Sequence, residues 1–133
     1  MRVEVVVDLM AIRDNVRWLI QQTSAQVLVM VKANGYGHGS VAAARAALAG
    51  GARWLGTAFL EEAITLRSAG IESPILACIV RPGDDLAAAA SRGIDISVSA
   101  PWAVEAARDA AQQVGRPARL HLEVDTGMSR GGP

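Results

Sequence analysis

The chain has 133 residues, 51% of them hydrophobic and 20% charged, with thirteen Lys+Arg set against thirteen Asp+Glu. That is enough for one compact domain, too apolar for a disordered chain, and too short for a closed (β/α)8 barrel of roughly 250 residues. The balanced charge gives no electrostatic case for a nucleic-acid or acidic-membrane partner, and the single cysteine, Cys78, excludes an internal disulfide or a Cys-rich zinc site.

Residues 2–7 (Arg-Val-Glu-Val-Val-Val) read as a short strand. Asp8 can cap a helix from Leu9 to about Gln22, whose Leu9, Ile12, Val16, Leu19 and Ile20 share one stripe. Residues 26–32 form an apolar strand. A glycine-rich turn follows, then an alanine-rich helix over 40–49 stopped by Gly50-Gly51. Residues 53–58 read as a strand and 60–69 as a helix ended by Gly70. Residues 74–80 are the next strand. Pro82-Gly83 turns the chain, and Asp84 or Asp85 caps a short helix to about Ser91. Residues 94–98 are a strand. Ser99 is expected to cap a helix with Pro101 in its first turn, running to about Val114. Residues 118–124 are the last strand.

Repeated βα units imply a parallel sheet with right-handed crossovers. The middle strands are apolar on both faces, as a doubly covered parallel sheet requires. The expected class is α/β: a partial (β/α)8 TIM barrel, truncated after about its fifth barrel strand. The sheet would end on an open edge, which is an association hazard. No apolar run approaches the roughly 18 residues of a membrane span. Glu4 and Asp8 stand where a signal peptide would be apolar, so the expected compartment is the cytoplasm.

Twelve of the thirteen basic residues are Arg, and Lys32 is the only lysine. Arg cannot replace lysine where chemistry needs a deprotonated amine. Lys32 ends an apolar strand, and the C-terminal ends of parallel strands carry the active sites of α/β folds. It shares a face with Leu28 and Met30. Desolvation on such a face favours the neutral amine, which suits a Schiff-base nucleophile. Gly35, Gly37 and Gly39 alternate through the loop that follows, around Tyr36, the only tyrosine. The Tyr36 hydroxyl can donate to a phosphate. His38 reads as a turn residue, and no metal site is expected.

In the last strand Leu120, Leu122 and Val124 share one face and Arg119, His121 and Glu123 the other. A polar face on a parallel strand points either to water at an edge or inward to a barrel's site. Asp125 is placed to bond loop amides, and Arg130 to reach an anion or phenolate.

Two segments, Val31-Lys32-Ala33-Asn34-Gly35-Tyr36-Gly37-His38-Gly39 and Val124-Asp125-Thr126-Gly127-Met128-Ser129-Arg130, closely resemble the signatures of the alanine racemases. These are fold-type III enzymes that use pyridoxal 5'-phosphate (PLP). Trp54-Leu55-Gly56-Thr57-Ala58 with Glu61-Glu62-Ala63 extends the resemblance over essentially the whole chain. By that resemblance Lys32 is the lysine that carries the cofactor and the base on one face of the substrate. Tyr36 is similar to the family tyrosine on the cofactor phosphate, and Arg130 to the arginine on its phenolic oxygen. The resemblance also implies a small amino-acid substrate, conversion of L-alanine to D-alanine for cell-wall synthesis, and a homodimer for the complete protein. The opposite base is then a tyrosine of a C-terminal β-domain from the second subunit, and residues 2–8 would pair with that domain. Residues 1–133 would be the N-terminal part of the barrel without that domain, and inactive alone. Many members carry a lysine, often carbamylated, where this chain has Glu123. Glu123 is already an anion, and a charge-assisted contact from it to Arg130 would be worth roughly 1.5–3 kcal/mol. The competing expectations are a non-catalytic PLP-binding module, or a half-barrel that associates through its open edge.

Overall fold

A computed structural model of the chain describes residues 2–133. Five parallel strands lie in the order β1-β2-β3-β4-β5: β1 Leu28–Met30, β2 Trp54–Thr57, β3 Ile75–Ala77, β4 Asp95–Val98 and β5 Leu120–Leu122. The helices are α1 Leu9–Gln21, α2 Lys32–Tyr36, α3 Ser40–Ala49, α4 Leu60–Ser68, α5 Leu86–Ser91 and α6 Pro101–Val114. Each strand returns to pair with the one before it, so the sheet is the consecutive-order arc of a (β/α) barrel. Among the described residues no helix is long and apolar enough to cross a membrane.

Strand residues alternate between two faces. The face under the helices carries Leu55, Thr57, Ile75, Ala77, Ile96 and Val98, all at most 3% exposed. Leu60, Ala63, Leu66 and Ala107 close over it. Small residues let helix backbones come near. A Cβ at Gly50 would lie 2.5 Å from the Arg13 carbonyl of α1, so α1 rests directly on the end of α3. Asp8 caps α1 by accepting from the Met10 and Ala11 amides at 2.9 and 3.1 Å, as its position before the apolar stripe implies.

The other face lines the inside of the arc. Register aligns Met30 with Gly56, Gly56 with Leu76, and Leu76 with Asp95. At Gly56 a Cβ would fall inside the van der Waals shell of Met30 Sδ and 2.7 Å from Leu28 Cδ2, so those two side chains occupy the space a larger residue would need. The inner face of β5 holds His121 and continues to Glu123. The outward Leu122 is 69% exposed. The polar side of the last strand therefore points inward, one of the two orientations its pattern allowed.

Two expectations need correction. Residues 2–7 form no strand: Val3, Val5 and Val6 are 83, 86 and 79% exposed, and no described strand lies beside them to supply ladder bonds. Ser99 does not cap α6. The cap residue is Ala100, with no side-chain bond, and Ser99 lines a cavity at the strand ends instead.

Candidate functional site

Lys32 stands two residues past the last ladder position of β1. The chain around it is not an ordinary turn. Ala33, Asn34 and Gly35 have φ/ψ of 51/51, 55/43 and 64/38, and Tyr36 has φ 55, so α2 is one turn wound left-handed. It closes through Gly35 N donating to Val31 O at 2.9 Å and Gly37 N to Ala33 O at 3.1 Å. Gly35 adopts this conformation freely. For Ala33 and Tyr36 it costs roughly 1–2 kcal/mol each. Such strain persists where the surroundings over-determine the backbone, and it concentrates at functional sites. The Asn34 side chain accepts from Ser40 N at 3.1 Å, and His38 Nδ1 bonds the Gly35 carbonyl oxygen at 2.8 Å. His38 is thus a loop-holding residue, as its setting implied.

Glu62, in the first turn of α4, adds an anchor from outside the loop. Its Oε1 accepts from Ala33 N at 2.7 Å, and its Oε2 from Ala58 N and Phe59 N at 2.9 and 3.0 Å. The neighbouring Glu61 faces away and pairs with Arg81.

Beyond the ends of β3, β4 and β5 lies a cavity of about 190 Å³ lined by Cys78, Ser97, Ser99, Glu123, Arg130 and Gly131, among others. Arg130 Nη2 lies 3.3 Å from Glu123 Oε1, with the two side chains 54 and 23% exposed. The loop that delivers Arg130 is built on Asp125, whose Oδ1 accepts from Gly127 N at 2.9 Å and Ser129 N at 3.0 Å. Those amides, Ser129 first, hold the Asp125 carboxyl below its ordinary pKa. Burial pushes the Cys78 thiol up, while the charges of Arg130, Glu123 and Lys32 all reach it. Lys32 follows β1 and Arg130 follows β5, so both stand past the C-terminal ends of strands of one parallel sheet. Lys32 enters none of the ion pairs among the described residues. Tyr36 is not part of this cavity. It is 59% exposed and lines a separate apolar hollow with Ile12, Val29 and Ala43 at the β1 edge.

Deeper in the arc, Asp95 is 2% exposed. His121 Nε2 bonds its Oδ2 at 2.9 Å, and Arg119 Nε lies 2.9 Å from Oδ1 but off-line for a hydrogen bond. The Trp54 and His121 rings pack edge to face with centroids 5.7 Å apart. This polar layer floors the mouth. The sequence signal for it was a carboxylate inside the apolar strand 94–98, which required a partner. The only signal for Glu62 was a glutamate in the first turn of a helix, and nothing local announced its reach to Ala33.

Comparison with known proteins gives one answer. The family described as alanine racemase, N-terminal domain, matches residues 7–133. The chain is 55% identical over 127 residues to an alanine racemase of Thermobifida fusca, covering 95% of this chain and 34% of that protein. It is 53% identical over 129 residues to one of Salinispora tropica, covering 97% and 35%. Among solved structures, alanine racemase from Streptomyces coelicolor A3(2) superposes with a TM-score of 0.92 at 44% identity, over 95% of this chain and 34% of that one. The chain spans about a third of the length of the curated relatives it matches. On this match, with the five-stranded parallel arc beneath it, the chain belongs to the alanine racemase N-terminal domain family.

Proposed function

We propose that residues 1–133 are the cofactor-carrying part of a PLP-dependent amino-acid racemase that interconverts L- and D-alanine. The donor set fits the group. PLP has an aldehyde, a phenolic oxygen and a phosphate, and the chain offers one amine past β1, one guanidinium past β5 and the phenol of Tyr36 in the lysine loop. The observation that carries the reading is the placement of the only lysine. Lys32 is half-buried, outside every described ion pair, and stands at the C-terminal mouth of a parallel arc on a strained left-handed turn.

In this reading Lys32 Nζ holds the cofactor and moves a proton to or from the substrate Cα on one face. The bound cofactor supplies an electron sink for the charge left when that proton departs. Arg130 donates to the phenolic oxygen, and Glu123 keeps the guanidinium turned toward it. Tyr36 donates its hydroxyl to the phosphate, reaching from the β1 side of the mouth. Cys78, Ser97 and Ser99 form a wall of small side chains that leaves room for a flat ring. Residues 1–133 supply this holding machinery and are inactive on their own. The complete protein acts as a cytoplasmic homodimer on a small amino acid, with D-alanine for the cell wall as product.

The test is formation of D-alanine from L-alanine by the purified full-length protein with PLP. Turnover that disappears in Lys32→Ala is expected. Turnover that survives Lys32→Ala, or none in the wild type despite bound cofactor, contradicts the reading.

A further inference from the structure

We propose that Glu62 is the positioning residue for Lys32, acting through the peptide that follows the lysine; this rests on the reading of Lys32 as the cofactor-holding amine. Glu62 occupies the third position of α4, where a glutamate ordinarily folds back onto the amide of its own cap residue. That bond is present, from Phe59 N to Oε2 at 3.0 Å. The cap explains one oxygen. The other, Oε1, reaches 29 residues back along the chain to the Ala33 amide at 2.7 Å, the shortest of its three bonds. Helix capping does not call for that contact.

Its consequence is local to Lys32. The residue before the lysine is tied to β2, because Val31 N donates to Gly56 O at 2.8 Å. The residue after it is tied to the start of α4 by Glu62. Lys32 is therefore bracketed by two bonds to the same β2–α4 unit. Between them and Gly37 the backbone runs through four left-handed residues, three of which are not glycine. A turn of that kind relaxes toward right-handed or extended conformations once an anchor is lost. The Val31 bond would remain, since it continues the sheet ladder. Loss of the Glu62 bond would free the peptide plane carrying the Lys32 carbonyl, and with it the direction in which the side chain leaves the mouth.

Glu61 is the internal control. It is the same residue type, one position earlier on the same helix turn, but it pairs with Arg81 and makes no hydrogen bond or ion pair to α2 among the described residues. A general effect of removing negative charge from the start of α4 would appear in both positions.

The experiment compares Glu62→Gln, Glu62→Asp and Glu61→Gln in the full-length protein. Gln presents one acceptor oxygen where the carboxylate has two. Asp keeps the charge and shortens the arm by one methylene. Three quantities are read: amide hydrogen exchange over residues 33–39 in cofactor-free protein, the rate of PLP loss, and kcat and KM for L-alanine. For both Glu62 variants we expect exchange and PLP loss to rise roughly tenfold, the scale of one charge-assisted hydrogen bond. kcat should fall by a similar factor with KM little changed, and Glu61→Gln should match the wild type. A lower melting temperature in the Glu62 variants with wild-type exchange at 33–39 would make Glu62 a helix cap only and overturn the proposal. Equal effects from Glu61→Gln would overturn it as well. A wild type that takes no PLP on Lys32 would instead defeat the functional reading, and the exchange data would still decide whether Glu62 holds the turn.

Discussion

Replacing Glu123 by Gln keeps the side-chain shape beside Arg130 and removes its charge. In the sequence this pair looked worth roughly 1.5–3 kcal/mol, on the premise of a buried or half-buried guanidinium. The structure lowers that figure. The contact is single, at 3.3 Å, and the Arg130 side chain is 54% exposed, so water and salt screen it. An exposed pair of this geometry contributes about 0.5–1 kcal/mol. That converts to a two- to fivefold loss of PLP affinity, roughly, if the pair's whole contribution serves to aim Arg130. The assay is a PLP titration of cofactor-free full-length protein, followed by absorbance, at low and high salt. The wild type should lose part of its advantage over Glu123→Gln as salt rises. Glu123→Lys should bind PLP worse than either and recover with bicarbonate, because carbamylation would restore an anion. Unchanged affinity and salt dependence in Glu123→Gln would show that Arg130 is oriented by something else. A loss of a hundredfold or more would refute the screened estimate.

Two further perturbations probe the interior that carries the site. Gly56→Ala places a methyl against Met30 Sδ and Leu28 Cδ2, the far ends of flexible, half-buried side chains that can shift, so the cost falls at the low end of the overpacking range, about 1 kcal/mol. The urea midpoint should fall, and Met30→Ala should recover part of the loss in the double variant; a neutral Gly56→Ala would mean the interior column is looser than drawn. Burial raises the Cys78 pKa above its ordinary value of 9.0, so the folded state holds the thiol proton longer than the unfolded chain. The sign follows: this group leaves stability unchanged well below pH 9 and lowers it as pH rises past that value. Iodoacetamide should accordingly label Cys78 more slowly in folded than in unfolded protein at pH 8, and PLP should slow it further; faster labelling of the folded form would refute the assignment.

Much of the architecture was legible because the signals were local. A run such as Ile75-Leu76-Ala77 between Pro74 and the Pro82-Gly83 turn has few options besides a strand, and the glycines at 50–51, 70 and 115 mark where helices stop. Strand parity put Arg119, His121 and Glu123 on one face of the last strand, and only the fold showed that this face looks into the arc. The failures came where partners decide. Residues 2–7 alternate like a strand, but a strand exists only against another, and none stands beside them in the described residues. The lysine loop read as glycine-governed, yet Ala33, Asn34 and Tyr36 share the left-handed conformation with Gly35. No propensity leads alanine there; bonds from Glu62 and Ser40 hold the segment in place. Lys32 and Arg130 stood out in the sequence as candidates because one is the only lysine and the other follows a polar strand face. Glu62 and Asp95 did not, since the meaning of each lies in contacts more than twenty residues away.

The central claim is that Lys32 is the amine that holds the cofactor, and one measurement addresses it without depending on turnover. Full-length protein is loaded with PLP, reduced with borohydride, digested and mapped by mass spectrometry. Because residues 1–133 contain a single lysine, a label in this stretch has one ε-amine to occupy. The account expects one phosphopyridoxyl group, on Lys32, and none in Lys32→Ala. Label confined to the α-amino group or to a lysine elsewhere in the protein, with Lys32 unmodified, would contradict it.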